Sequence, residues 1–139
     1  MTTVMVEPKT NNQVEVWGAP RGHRPTGAAV AALYGAMIGM LTLGVVNVLT
    51  QASKAFNAWV HGVGKLWMPG AAGIGPYSGK ETLSLVAWLG AWAILHYTLR
   101  AKELKMSTAL IVFLVGVGVA TTLIWPPVFE HLAEWIGGH

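Results

Sequence analysis

The side chains of this chain best suited to chemistry are its histidines and glutamates, and they fall in two places. His96 lies in an apolar run with Trp88 and Trp92, spaced i, i+4, i+8 along one helical face. A neutral imidazole nitrogen at such a position is a candidate axial ligand for haem iron or for the magnesium of a chlorophyll. The residue four positions before it, where a macrocycle needs room, is Trp92, and no other apolar run supplies a second His for a bis-histidine haem. The competing reading is a hydrogen-bonded His near the membrane surface, one turn from Arg100. The second place is a scattered set: His61, Glu130, His131, Glu134 and His139. His131 and Glu134 are one turn apart, a spacing that suits a divalent metal such as copper or zinc. The same residues also read as a solvated helix face, since two such ligands a turn apart arise often by chance.

Composition removes most other chemistry. The 139 residues include no Cys, so thiolate metal sites, iron–sulfur clusters and cysteine nucleophiles are excluded. All six acidic residues are Glu, and none falls inside an apolar run. Ion pumps and proton-coupled carriers place ionisable groups in the membrane interior, so autonomous transport is not expected. No nucleotide-binding loop, nucleophile elbow or HExxH is present. The chain is therefore not expected to be an enzyme by itself. No cofactor is required by its composition, and haem, chlorophyll or copper remain the candidates if one binds. The net charge of +3 comes from cations that flank apolar runs, so it reads as a topology signal and not as nucleic-acid binding.

The elements that would position these residues follow from the charges. No Asp, Glu, Lys or Arg occurs in residues 25–53, 82–99 or 106–129, which together make up about half of the chain. Uncharged apolar stretches of roughly 18 or more residues are transmembrane candidates. The expected fold is an all-α integral membrane protein with three transmembrane helices and two short interfacial amphipathic helices. After a polar tail over 1–26, spans are expected at about 27–50, 82–99 and 107–125. The amphipathic segments cover about 52–67, rich in Phe56, Trp59, Val60 and Trp67, and about 127–136, which follows Pro126-Pro127. Ser78-Gly79-Lys80-Glu81 has the spacing of a capping box and should open the second span. Residues 100–105 are short enough that the helices they join should be antiparallel neighbours.

Small residues give the sharpest pattern. Gly27, Ala31, Gly35 and Gly39 repeat every four residues, and Ala87/Ala91 and Gly116/Ala120 share that spacing. In lipid, small residues let helix backbones approach and gain dispersion contacts. The stripe can pack the chain's own helices, dock another subunit, or do both. Thr42 and Asn47 are expected to bond across helices. The layout looks like the small supernumerary subunits of membrane redox complexes, a class of proteins and not a sequence family. The function expected is a structural or accessory subunit of a respiratory, photosynthetic or metal-oxygenase assembly, with other membrane subunits and lipid as partners. The alternative is a cofactor-binding subunit that uses His96 or the His/Glu set.

Lys and Arg are more numerous in the first 26 residues and in 100–105 than in the other flanks, which favours a cytoplasmic N-terminus and an outward C-terminus. The membrane expected is a prokaryotic cytoplasmic one. A cysteine replacing Ser53 should therefore react with an impermeant thiol reagent from outside and one replacing Thr3 should not. The opposite labelling pattern would invert the topology.

Overall fold

The computed structural model describes residues 25–138. Six helices follow in order: α1 (Gly27–Ala52), α2 (Lys54–Lys65), α3 (Ala71–Ile74), α4 (Tyr77–Leu99), α5 (Met106–Ile124) and α6 (Pro126–Gly137). Among the described residues there is no strand. α1, α4 and α5 are each long and apolar enough to cross a membrane. The polar tail before Pro25 lies outside the described residues, as does His139.

Local chemistry sets the breaks. Ser53 is extended (φ −134°, ψ 115°) and its Oγ accepts a hydrogen bond from the Phe56 amide at 3.3 Å. It therefore ends α1 and caps α2, so that α2 is a separate helix and not a continuation of α1. Pro126 lacks an amide hydrogen and so cannot extend α5; it stands at the first position of α6, where that loss is harmless. The start of α4 differs from the capping-box expectation. The helix opens at Tyr77 behind Pro76, and Ser78 is buried inside its first turn. The cause is the preceding backbone: Gly75 has a positive φ (67°) and Pro76 has φ −78°, which launches the helix before Ser78 can cap it. The glycine- and proline-rich stretch is also not all loop, since α3 forms within it behind a left-handed Gly70 (φ 82°).

The three long helices do not close into a bundle. α1 packs on α4 and on α5, but among the described residues α4 and α5 do not touch. This corrects the expectation that the helices joined by 100–105 are neighbours. Gly35 and Gly39 lie against the Cβ atoms of Trp92 and Trp88, while Gly44 lies against Leu123 and Met37 against Gly116. At 100° per residue those two sets point from nearly opposite sides of α1. The order across the layer is α4, α1, α5. Burial agrees: 33% of the most apolar window of α1 is buried, against none of α4's and 11% of α5's.

The link from α4 to α5 runs directly beneath α1. Six extended residues reach at most about 20 Å, and crossing one intervening helix takes about 16–20 Å. There is no slack for a detour. The Gly27 amide donates to the Lys102 carbonyl at 3.0 Å. Thr26 Oγ1 donates to the Leu104 carbonyl and accepts from the Leu104 amide, both at 2.8 Å. A Cβ on Gly27 would collide with the Leu99 carbonyl, so the crossing requires glycine there.

At the other end, here called the cap end, α2 packs on α4 and α1, and α6 packs on α1 and α5. α2 turns Val60 and Gly64 inward, with Gly64 against Ser78 and Gly79 against the Val60 carbonyl. Of the apolar side chains of α2, Val60 is buried against the helices and Trp59 stays 55% exposed.

These contacts place the Gly35/Gly39 stripe inside the chain. Gly39→Leu should push α1 from α4 and lower stability by about 1–3 kcal/mol. Gly118→Leu, which meets open space, should stay within about 0.5 kcal/mol of the parent. Thermal unfolding of the purified chain in detergent measures both, and equal effects would refute the packing order.

Candidate functional site

Polar side chains gather at the cap end around Lys80. The residue is only 9% exposed, its Nζ donates to Asn47 Oδ1 at 2.8 Å, and the ammonium lies 5.4 Å from the Tyr77 ring centre. A buried ammonium is costly unless it is hydrogen-bonded or paired. Here an amide oxygen and an aromatic face take that role. The position is also adverse for a cation, since the first turn of a helix carries the positive end of its dipole. Lys80 is thus held by Asn47 of α1 together with the Tyr77 ring of its own helix.

The surrounding polar groups extend the clamp. Thr50 Oγ1 donates to the Asn47 carbonyl at 2.9 Å, and Asn57 Nδ2 donates to the Thr50 carbonyl at 3.2 Å, which ties α2 to the end of α1. Trp67 Nε1 donates to Thr82 Oγ1 at 3.0 Å, and that hydroxyl donates to the Ser78 carbonyl at 2.6 Å. His61 Nε2 donates to the Ala71 carbonyl at 3.2 Å; a carbonyl can only accept, so Nε2 carries the hydrogen. Further along α4, Ser84 Oγ donates to the Gly39 carbonyl at 2.7 Å. The Ser78 hydroxyl is buried without a partner, pressed against Gly64. As a chemical set this is one ammonium, an imidazole, an indole, amides and hydroxyls, with no paired carboxylates among the described residues.

The residues singled out by sequence are placed as follows. Gly27, Ala31, Gly35 and Gly39 are buried, Ala87 and Ala91 are half-buried on α4, Gly116 faces Met37, and Ala120 is buried beside Gly44. His96 is half-buried, with its ring 5.6 Å from that of Trp92. The His/Glu set does not converge: among the described residues no three His, Asp or Glu side chains could hold a metal. His61 faces α3, and α2 and α6 make no contact. On α6, His131 Nδ1 lies 3.8 Å from Glu134 Oε2 with both side chains largely exposed, while Glu130 and Glu134 border a shallow groove with Gln51 and Ala52. Asn47 bonds across helices. Thr42 instead donates to the Ile38 carbonyl of its own helix at 2.8 Å.

Sequence reasoning passes over Lys80 because it sits beside Glu81 in an apparent cap. A signal is present: Lys80, Ser84, Trp88, Trp92 and His96 recur every four residues, so Lys80 belongs to the stripe that meets α1. No protein-family model, no curated protein and no solved structure matches the chain.

Removing one partner of the clamp leaves a buried ammonium unsatisfied, which costs about 1–3 kcal/mol. Asn47→Leu should therefore destabilise the chain by that amount, and adding Lys80→Met should recover most of the loss. A double-mutant cycle by thermal unfolding checks it, and additive losses would show that the two residues are not coupled.

Proposed function

We propose that the chain is a small accessory subunit of a larger membrane complex, bound by other membrane subunits and not itself acting on a substrate. One observation carries this reading. The cap end is held firmly by its own polar side chains, yet it presents an uncovered aromatic surface. Trp59, Leu66, Trp67, Ile74 and Tyr77 are 44–85% exposed. Clustered exposed apolar side chains of this kind mark contact sites. Hydrocarbon is a poor partner for this stretch, because residues 66–76 contain turns and two glycines at positive φ whose backbone groups need protein or water. A protein surface would satisfy both the rings and the backbone. Within that class we keep a redox or energy-transducing assembly as the parent.

The test is a photo-crosslinking residue placed at Leu66 or Trp67 in the native membrane. A discrete adduct with another membrane protein is expected, and adducts with lipid alone would overturn the reading. The purified complex also separates the cofactor alternative, since a visible band lost in His96→Ala would make the chain a ligand-bearing subunit.

A further inference from the structure

We propose that the link and the flank of α1 above it form a binding site for one anionic phospholipid, with its headgroup on Arg100, Lys102 and Lys105 and an acyl chain against α1. The headgroup half is a strongly charged patch. All three cations are exposed, and Glu103 is the one carboxylate in the link. The Arg100 guanidinium is placed 5.5 Å from the ring centre of Tyr97, which is itself 77% exposed. Arginine offers a planar fork that matches phosphate, and lysines beside it add charge. The backbone beneath these side chains is already fixed by the bonds from Gly27 and Thr26, so less freedom is lost when a ligand binds.

The acyl half follows from the open layer. Because α4 and α5 do not touch, α1 is left uncovered along two strips, and the two differ. One carries the large side chains of Tyr34, Ile38, Leu41 and Val45. The other carries Ala29, Ala32 and Ala36 at i, i+3, i+7, within about 60° of arc, and leaves a trough. Ala29 and Ala32 are exposed. Ala36, the far member of this strip, also lines an apolar groove of about 230 Å³ with Gly39, Met40, Ser84 and Trp88. From Ala29 to Met40 is about 16 Å along the helix, a length that suits an extended acyl chain. Cations at the mouth and an apolar trough behind them together select an amphiphile with a negative head, which free phosphate or a neutral lipid only half satisfies.

The experiment uses the full chain in mild detergent with equimolar phosphatidylglycerol and phosphatidylcholine, read by native mass spectrometry. One phosphatidylglycerol per chain should be retained, favoured over phosphatidylcholine by about tenfold or more. Arg100→Gln/Lys102→Gln/Lys105→Gln should abolish that preference, while Lys54→Gln/Lys65→Gln at the cap end should not. Ala29→Leu/Ala32→Leu fills the trough at exposed positions and leaves the link intact, and it too should lose the retained lipid. Equal retention of both lipids, or an unchanged triple variant, would overturn the proposal. Undiminished retention by the alanine double variant, or displacement of the lipid by millimolar inorganic phosphate, would reduce the site to a headgroup contact and overturn it as well.

Discussion

Everything in this fold depends on the link passing under the N-terminus of α1. Between apolar helices in lipid there is little hydrophobic force to choose neighbours, so the order must come from connections, close packing and hydrogen bonds. A six-residue connection would ordinarily place α4 beside α5. Here its middle is bonded to Gly27 and Thr26, so α1 is fixed between the helices it joins. The bonds also satisfy an amide at the start of α1 that has no partner within the helix. With α1 in the centre, two opposite faces must be smooth enough for close approach. Gly35 and Gly39 supply one and Gly44 the other, where Gly116 of α5 makes room for Met37. The open flanks of α1 are the remaining consequence, because two helices separated by a third cannot cover it all round.

The polar side chains follow from the same arrangement. A flat layer has little interior, and an ammonium can be buried only where helices converge, at the cap end. There α2 folds back onto α4, and Lys80 reaches from α4 to Asn47 on α1. His61 and several hydroxyls make bonds that hold the helices together. His61 secures α3, Ser84 bridges α4 to α1, and Thr82 receives the Trp67 indole.

Long-range order is only partly legible in the sequence. The three long helices can be read directly, because charge-free apolar runs need no tertiary information to identify them. The break at Ser53 and the start of α6 at Pro126 are also local. The helix order across the layer is not, since a short link implies adjacency unless something is known to sit above it, and the Thr26–Leu104 bonds join residues 78 apart in sequence. The capping box fails for a related reason. Ser78 has the right neighbours in the chain, but Gly75 and Pro76 have already begun the helix, and α2 occupies the side to which its hydroxyl points. Lys80 is hidden by the company of Glu81, and only its register with Trp88 and Trp92 marks it as facing α1.

The small-residue stripe carries the same lesson into function. A repeat of glycine and alanine every four residues says that some backbone comes close, but not whose. Gly35 and Gly39 are occupied by tryptophans of the chain itself, so they leave no room there for a foreign helix. Ala29 and Ala32 have the same character in sequence and the opposite fate, since among the described residues they stay exposed. Two sets of small residues on one helix thus differ in role only through the position of α4 and α5. The surface left for ligands and partners is therefore defined by what the fold fails to cover: the alanine flank beside a basic link at one end, and the exposed aromatic rings at the other.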